Sequence, residues 1–409
     1  MALDFSVKLG PLELSSPLMT ASGCSGYGKE LDRYHDLSCY GALVGKSISR
    51  KPRLGNDYPR TAETAAGMIN AIGLQNEGFE AFVKNTLPKM RSFGPKAVVN
   101  VVGHDFDEYV WLCERFDNEE GIAALVDLVG SRASDSFILL RHGRIVAEAY
   151  WRGADQEWTR DIASCQKSVT STLVGVARDE GLLGLDDTVT SHLGAGWSAA
   201  AEADEALITV RHLLTMTSGL GPLTLKAKTA PGEVWEYNTN AYQKLRPVLE
   251  AATGQDIDSL TRAWLLDTVG ASEQATWRQR RTQDPTGDRL WGLELTVRDM
   301  ARFGLMAMRG GMWGDTRVLP DGWLDESWTP IPQNAGYGYL WWLLGAISLS
   351  PGLPEDAVAA LGAADQKIYV VPSIGLVCCR QGSAAGTETE AESPFDQALL
   401  EALLAAVAT

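Results

Sequence analysis

Tryptophan is distributed unevenly along this 409-residue chain, and the asymmetry divides the chain in two. Of the 13 Trp residues, only Trp111 precedes residue 126. Charge follows the same division, because residues 1–125 carry 13 Lys+Arg against 16 Asp+Glu, whereas residues 126–409 carry 23 against 36. A chain of this length has room for two to four domains at roughly 100–200 residues each. We therefore predict two domains, 1–125 and 126–409.

Composition excludes several classes of function. Hydrophobic residues make up 45% of the chain and charged residues 22%, which is typical of a globular protein. The net charge of −16, without any long run of Lys or Arg, argues against nucleic acid as a partner. The scattered His and Cys residues show no metal-ligand spacing, so we expect no metal site. Neither a signal peptide nor an apolar membrane span is visible, which predicts a cytoplasmic protein with reduced cysteines and no membrane partner.

The first region alternates strand-like and helix-like segments. Residues 42–48 and 97–102 are apolar, β-branched runs typical of buried parallel strands. Residues 77–92 carry apolar residues at helical spacing, although Pro88 disturbs the end of that segment. Repeated strand–helix units predict the start of an α/β barrel or a doubly wound sheet.

Two glycine-rich loops, at residues 20–23 and 70–76, stand where predicted strands end. Such loops let backbone amides approach a planar ligand closely, although simple tight turns explain them equally well. Their surroundings read VKLGPLEL, GALVGKSISRKPRLGN, AETAAGMINAIGLQN and NVVGH. These segments resemble the opening of class 1B dihydroorotate dehydrogenase, a flavin enzyme with a TIM-barrel fold. The resemblance runs from about residue 4 to residue 125.

That resemblance implies a set of ligand-contacting positions. The FMN-contacting positions would be Ser22, Lys46, Ser47 and Asn100. The orotate-contacting positions would be Lys46, Asn70, Ala71, Ile72, Gly73 and Leu74. The resemblance stops before the segment that carries the family's catalytic Cys, and a complete barrel typically needs about 250 residues. We therefore expect a truncated barrel fragment with a vestigial site and without dehydrogenase activity, in which FMN is a cofactor only if the fragment functions.

The second region begins and ends with predicted strand pairs. Residues 136–150 form two β-rich runs around a turn at His142 and Gly143, the pattern of a hairpin. Near the C-terminus, residues 367–372 and 376–380 form another pair, and a linker leads into a helix at 396–407. An antiparallel sheet built from both ends of the region, with helices between them, indicates an α+β architecture.

The segment DIASCQKSVT, residues 161–170, carries the clearest chemical signal. Ser164 and Lys167 are three residues apart, so on a helix they share one face. A Ser hydroxyl needs a base, and a Lys removed from water can lose its proton near neutral pH and serve as one. Alone, this pair is a weak signal, because most Ser-x-x-Lys pairs lie on solvated helix faces.

Further motifs follow the Ser-x-x-Lys pair in a fixed order. They read ITVRHLLTMTSGL (208–220), PGEVWEYNTN (231–240), GLELTVRDMARFG (292–304) and GYGYLWW (336–342). In this order they resemble the serine beta-lactamase-like superfamily, in particular its class C beta-lactamase, esterase and 6-aminohexanoate-dimer hydrolase branch. The resemblance implies an acylated Ser164, its base Lys167 and a proton relay through Tyr237. A phenol held against a lysine ammonium would have a lowered pKa.

Two motifs depart from the family pattern. Where the family commonly has Tyr-x-Asn, Tyr237 is followed two positions later by Thr239, so either Thr239 or Asn240 takes the substrate-binding role. Where the family has a cation in its third motif, residues 361–367 (LGAADQK) have none at the expected place. Backbone N–H groups from Ala364 to Gln366 are candidates to complete an oxyanion hole with that of Ser164. The missing cation, together with Asp365, points to neutral or amine-bearing substrates.

These observations predict an α+β, beta-lactamase-like fold with an antiparallel sheet, flanking helices and a helical region, preceded by the truncated α/β TIM-barrel fragment. The predicted function is hydrolysis of a small ester or amide through a Ser-Lys-Tyr acyl-enzyme mechanism without a cofactor. The alternatives are an FMN-dependent, dihydroorotate dehydrogenase-like oxidoreductase and a non-catalytic fusion. A Ser-His-Asp triad is disfavoured, because no His follows His212 and no GxSxG motif occurs. Trp235, Trp341 and Trp342 are candidates for either an acyl pocket or the core.

Overall fold

The computed structural model of the chain describes residues 5–9, 12–385 and 394–407. The chain divides into two compact units, Met1–Gly121 with Ala406–Thr409, and Ile122–Ala405. Each unit contains its own cluster of buried hydrophobic side chains. Each unit is therefore organised around a core of its own.

The strands of the first unit are short. In chain order they are β1 (Val7–Leu9), β2 (Leu12–Leu14), β3 (Ala42–Val44), β4 (Thr61–Thr64), β5 (Gly67–Asn70) and β6 (Lys96–Val98). They form three two-stranded sheets, in which β1 pairs with β2 and β4 with β5 in antiparallel fashion, whereas β3 and β6 are parallel.

The parallel strands predicted at 42–48 and 97–102 are confirmed, although β3 and β6 are shorter than predicted. An isolated parallel bridge between Ile48 and Val101 extends the pairing of β3 with β6. Another, between Met19 and Ala42, adds a third segment beside β3. Three chain segments therefore run parallel and side by side. Over the described residues of this unit, they do not close into a barrel.

Helical segments cover the rest of the first unit's core. They are a 3-10 turn (Leu37–Cys39), α1 (Phe79–Ala81), a π-helical turn (Phe82–Thr86), α2 (Leu87–Ser92) and α3 (Phe106–Gly130), which belongs to this unit up to Gly121. The helix predicted for residues 77–92 is confirmed from residue 79 onward. Pro88 lies in the first turn of α2, where a helix has no need of the missing N–H. Phe79, Phe82 and Met90 are fully buried, so the apolar spacing read from the sequence marks the core face.

The described residues of the second unit form ten strands. They are β7 (Ser134–Arg141), β8 (Arg144–Tyr150), β9 (Thr159–Asp161), β10 (Thr276–Gln283), β11 (Arg289–Thr296), β12 (Met312–Trp313), β13 (Thr316–Arg317), β14 (Val358–Gly362), β15 (Gln366–Val371) and β16 (Leu376–Gly382). Five of them form an antiparallel sheet in the order β14-β15-β16-β7-β8, three form a sheet in the order β10-β11-β9, and β12 pairs with β13.

The predicted sheet from both ends of the second region is thus confirmed. The β7–β8 hairpin turns at His142 and Gly143, whose φ angles of 49° and 76° are the left-handed values that a type I′ turn requires. Because such a turn matches the twist of the flanking strands, the local sequence sets the register of this pair.

Helices pack on both faces of the sheet and fill the middle of the unit. They are α4 (Gln166–Asp179), α5 (Val189–Leu193), α6 (Glu202–Glu205), α7 (Val210–Leu214), α8 (Thr239–Tyr242), α9 (Leu245–Thr253), α10 (Ile257–Thr261), α11 (Val297–Met308), α12 (Trp323–Ser327) and α13 (Pro394–Val407). Shorter helical turns are Ala163–Cys165, Arg262–Leu266, Ala363–Asp365 and Pro372–Ile374. No helix among the described residues is both long and apolar enough to cross a membrane.

Alternating side chains of β15 pack against helices on opposite faces of the sheet. Ile368 and Val370 face α11, where Gly304 allows the helix to approach so closely that a Cβ there would lie 2.7 Å from a methyl of Val377. Tyr369 points to the other face and bonds to Asp396 of α13. The predicted C-terminal helix is therefore confirmed, while most of the linker predicted before it falls in residues 386–393, outside the described residues.

Candidate active site

Ser164 lies in a 3-10 turn, Ala163–Cys165, immediately before α4. Ala163 has a left-handed φ of 50°, and its N–H donates to Oδ1 of Asp161 at 2.8 Å. Cys165 is fully buried, and its thiol donates to the carbonyl oxygen of Gln366 in β15 at 3.2 Å. The turn is thus fixed to the sheet from below, which leaves Ser164 partly exposed at the start of the helix.

Lys167 is buried directly beside Ser164. Its Nζ donates to Ser164 Oγ at 2.8 Å and to Thr239 Oγ1 at 3.3 Å. Burial, reinforced by the positive charge of Arg280, lowers the pKa of Lys167 to about 7. The contact expected from the three-residue spacing is present, and near neutral pH a substantial fraction of the amine is free to accept a proton.

Two tyrosine rings enclose the Lys167 amine. Nζ lies 4.9 Å from the ring centroid of Tyr237 and 4.6 Å from that of Tyr242. Burial raises the pKa of both phenols, that of Tyr242 to about 12, and the nearby Ser164 hydroxyl offsets only part of the effect on Tyr237. The expected lowering of the Tyr237 pKa is wrong, because burial raises this pKa and the amine lies over the ring. The Tyr237 hydroxyl is buried and makes no hydrogen bond of normal geometry with the described residues.

An aromatic cluster surrounds Tyr237. Trp342 stacks on Tyr237 with centroids 5.9 Å apart, and Trp235 and Tyr337 pack edge-on against Trp342. Trp341 instead stacks on Phe303 in the core and is almost fully buried. Of the three Trp residues considered for an acyl pocket, two therefore lie beside the candidate relay residue and one is a core residue.

The segment that follows Tyr237 separates the two candidates for the substrate-binding role. Thr239 reaches Lys167, as described above. The side-chain amide of Asn240 donates to the carbonyl oxygen of Pro222 at 2.7 Å. The buried Asn238 caps α8 by accepting from the N–H of Ala241. Thr239 is therefore the side chain of this segment that reaches the Ser164–Lys167 pair.

The turn after β14 comes close to Ser164. A Cβ on Gly362 would lie 3.1 Å from the backbone N of Ser164, so the two backbones approach each other directly. Ala364 is partly exposed and has a left-handed φ of 58°. Gln366 is buried, and its side chain donates to the carbonyl oxygens of Ala364 at 3.0 Å and Gly382 at 2.7 Å. The Gln366 side chain therefore holds this turn, and the role of the backbone N–H groups from Ala364 to Gln366 in an oxyanion hole stays a prediction.

Asp365 does not affect the substrate in the way that the sequence suggested. Its carboxylate is buried and lies 3.1 Å from Nζ of Lys367, which also pairs with Asp396 at 2.8 Å. Because this charge is compensated inside the protein, the argument that Asp365 repels anionic substrates is wrong.

Sequence reasoning missed a charged pair next to the site. Arg280 binds Asp161 through two hydrogen bonds of 2.7 Å each, and Gln166 lies next to it. Asp161 and Arg280 are separated by 119 residues along the chain. No local pattern could have revealed this pair, because it forms only when two strands are brought together.

The positions implied in the first unit gather around a cavity of about 730 Å³. Residues from the predicted ligand set that line it are Ser22, Lys46, Ser47, Asn70, Ile72 and Leu74. Asn100 donates to the hydroxyls of Ser22 at 2.9 Å and Ser47 at 2.7 Å and so positions them. Ala71 and Gly73 belong to the same loop but are not among the lining residues.

Among the described residues, no group of three or more His, Cys, Asp or Glu side chains is arranged to hold a metal ion.

Comparison with protein families divides the chain in the same place as its composition. The family model described as Beta-lactamase matches residues 122–396. The model described as Dihydroorotate dehydrogenase matches residues 5–126. The expected combination of two unrelated regions is therefore confirmed.

Solved structures resemble the larger part of the chain. A penicillin binding protein from Bacillus halodurans matches with a TM-score of 0.53 at 16% identity, covering 69% of this chain and 98% of its own. A hydrolase with promiscuous acyltransferase activity matches with a TM-score of 0.56 at 16% identity, covering 71% of this chain and 99% of its own. A D-stereospecific amidohydrolase from Streptomyces sp. matches with a TM-score of 0.51 at 18% identity, covering 68% of this chain and 97% of its own. At these identities the likeness establishes the fold.

Curated relatives resemble the first part. The catalytic subunit of dihydroorotate dehydrogenase B (NAD(+)) from Trichlorobacter lovleyi is 49% identical over 120 residues, which are 29% of this chain and 40% of that protein. The same subunit from Listeria welshimeri is 38% identical over 171 residues, which are 42% and 53%. The chain thus spans about half the length, or less, of these relatives.

Proposed function

Because this chain belongs to the beta-lactamase family, we propose that it is a serine hydrolase that cleaves a small ester or amide through an acyl-enzyme intermediate. Ser164 is the nucleophile, Lys167 its base and Tyr237 the proton relay. The observation that supports this most directly is the 2.8 Å separation between Lys167 Nζ and Ser164 Oγ, with the amine buried and its pKa lowered to about 7.

Acylation begins with proton transfer from Ser164 to Lys167. The neutral amine takes the hydroxyl proton while Oγ attacks the substrate carbonyl carbon. When the tetrahedral intermediate collapses, the bond to the leaving group breaks and that group needs a proton. Tyr237 keeps its proton at neutral pH, because burial raises its pKa, so it can donate this proton and recover one from the Lys167 ammonium. Water then releases the acyl group by the reverse sequence.

Backbone N–H groups are the proposed oxyanion donors. The N–H of Ser164 stands at the start of α4, where it benefits from the helix dipole. Ala364 supplies the second N–H, from the turn that follows Gly362. Thr239 takes the remaining polar contact beside Lys167, to which it is already bonded.

The charge of the third motif, residues 361–367, indicates the substrate class. Lys367, the cation of that motif, is buried and paired with Asp365 and Asp396. A substrate carboxylate would therefore find no cation from residues 361–367. This favours neutral or amine-bearing esters and amides, with Trp235 and Trp342 against the acyl group. The likeness in fold to a promiscuous acyltransferase-hydrolase and to an amidohydrolase supports both ester and amide as candidates.

An acylation experiment tests this function. We expect a fluorophosphonate probe to add one adduct mass to the protein, mapped to Ser164, and p-nitrophenyl esters of short acids to show a burst. Ser164→Ala should abolish both. Ser171→Ala is the matched control, since it removes a buried hydroxyl without a hydrogen-bond partner from the same helix. Labelling that persists in Ser164→Ala would contradict Ser164 as the nucleophile, and a wild-type protein that takes no label would favour a non-catalytic fusion.

A second candidate function concerns the first unit alone. Its 730 Å³ cavity brings together hydroxyl, amide and amine groups around apolar Ile72 and Leu74, which suits a planar polar ligand such as a flavin ring or orotate. In a complete barrel the phosphate site comes from loops after strands 7 and 8, whereas the region that matches this family, residues 5–126, contributes only the β3–β6 pair and short bridges to a parallel arrangement. The residues therefore fit only part of FMN, and no dehydrogenation is derived from them. Titration of the protein with FMN, followed by flavin fluorescence, tests binding, with Lys46→Ala as the comparison.

A further inference from the structure

The Arg280 side chain spans a three-stranded sheet. Arg280 lies on β10, whereas Asp161, its partner, lies at the end of β9. Because the strand order is β10-β11-β9, the guanidinium must cross the central strand to reach the carboxylate. It binds with Nε on Oδ2 and Nη2 on Oδ1, both at 2.7 Å, the two-pronged geometry that makes Arg–carboxylate pairs strong.

The central strand is shaped to let this side chain pass. Gly292 lies beneath the pair, and a Cβ there would collide with the Asp161 carboxylate and lie 2.8 Å from Nε of Arg280. The pairing of β10 with β11 is also irregular between Gln279 and Gln283, and such bulges redirect side chains. Arg280 can therefore cross β11 because Gly292 has no side chain and because β10 is locally distorted.

At its far end the pair holds the turn that carries the nucleophile. Oδ1 of Asp161 accepts both from Arg280 and from the N–H of Ala163, the residue with the left-handed φ just before Ser164. Nη2 of Arg280 also lies 3.4 Å from Oε1 of Gln166, the residue just before Lys167. One guanidinium thus contacts the chain on both sides of Ser164.

Resting on the serine hydrolase function proposed above, we propose that Arg280 is a positioning residue, which orients Ser164 by holding Asp161 and Gln166 on either side of it. No substrate contact is assigned to it.

The charges around Lys167 agree with this role. The titratable groups that face or influence the amine are Cys165 from its own turn, Tyr237 and Tyr242 across the site, and Arg280 from β10, with Asp161 behind Arg280. Burial keeps the two phenols and the thiol neutral, since it raises the pKa of each. Arg280 therefore remains charged while these three groups are neutral. Its positive charge lowers the pKa of Lys167 and so favours the neutral amine.

The test is the pH dependence of Ser164 acylation by a fluorophosphonate probe, followed by intact mass. Arg280→Gln removes the charge, so we expect the midpoint of the rate profile to move to higher pH, with a loss at neutral pH of about tenfold for each unit moved. Arg280→Lys keeps the charge without the fork, so it should slow acylation while leaving the midpoint in place. Arg278→Gln is the matched control, because it removes an exposed cation from the same strand, and it should match wild type.

The outcomes separate this inference from the function on which it rests. A wild-type protein that takes no label on Ser164 overturns the proposed function and this inference together. A labelled wild type with the same midpoint in Arg280→Gln, and the same rate in Arg280→Lys, overturns the inference alone. Should Arg280→Gln not fold, Arg280→Lys decides, since a wild-type rate in that variant contradicts positioning and a slower rate at an unchanged midpoint supports it.

Discussion

At the scale of single residues, burial determines the chemistry of the site. Lys167 is only 2% exposed, and removal from water disfavours its charged form more than any neighbour does. The same burial keeps the Tyr237 phenol protonated. One environment therefore moves the two pKa values apart, which leaves an amine able to accept a proton beside a phenol able to donate one.

The depressed pKa of Lys167 predicts how stability depends on pH. Its pKa is about 7 in the folded protein and about 10.4 in an unfolded chain, so between these values unfolding takes up a proton. Raising the pH opposes that uptake and stabilises the folded state. From pH 7 to pH 9, the melting temperature of wild type should therefore rise relative to that of Lys167→Met, which has no amine to titrate. Calorimetry of both proteins checks this, and a difference that is constant with pH would contradict the assigned pKa.

At the scale of secondary-structure elements, close packing of α4 positions the site. This helix begins at Gln166, two residues after Ser164, and most of its residues are buried. Gly175 faces Trp323, a fully buried residue of α12, and a Cβ at Gly175 would lie 2.6 Å from the indole ring. The absence of a side chain at position 175 therefore decides how closely α4 approaches α12.

Gly175→Ala should destabilise the protein, contrary to the usual effect of this change in a helix. In an exposed helix, Ala is more stable than Gly by up to about 1 kcal/mol. Here the added methyl group meets Trp323, so we expect a loss of about 1–3 kcal/mol in the free energy of unfolding, as in other overpacked cores. Urea unfolding measures it, with Asp179→Ala at an exposed position of α4 as the control. A stabilised Gly175→Ala protein would show that the ring moves away at no cost.

At the scale of the whole molecule, each of the two units has a hydrophobic core of its own among the described residues. In the first unit, Phe79 and Phe82 pack with Phe116. In the second, the core extends from Ile138 in β7 to Cys379 in β16. Since the residues assigned to hydrolysis all lie in the second unit, its activity should not require the first.

Limited proteolysis tests that independence on the intact chain. We expect a protease-resistant fragment that begins near residue 130 and retains a fluorophosphonate label on Ser164. Its rate of labelling should equal that of the uncut protein, because no proposed catalytic group precedes Asp161. A fragment that loses labelling as the first unit is digested would show instead that the hydrolase needs residues of the first unit.

The sequence predicted well those features that depend on neighbours along the chain. Ser164 and Lys167 meet because three residues make almost one helical turn, and the turn at His142 and Gly143 follows from local backbone preference. It could not show that the Gln366 side chain holds the turn at Ala364, because the orientation of a strand residue depends on which face its neighbours cover. The parallel strands predicted in the first region are present, although their lengths depend on pairing partners.

By itself, then, the sequence determined the two-part organisation, the strand pairs at both ends of the second region, and the contact between Ser164 and Lys167. Only the tertiary structure decided that Lys167 is buried beside Tyr242 and that Arg280 reaches Asp161 over Gly292. It also showed that Asp365 is neutralised by Lys367. The reason is physical: a helical turn is a short-range property, whereas burial and charge pairing depend on residues that are distant along the chain until the fold brings them into contact.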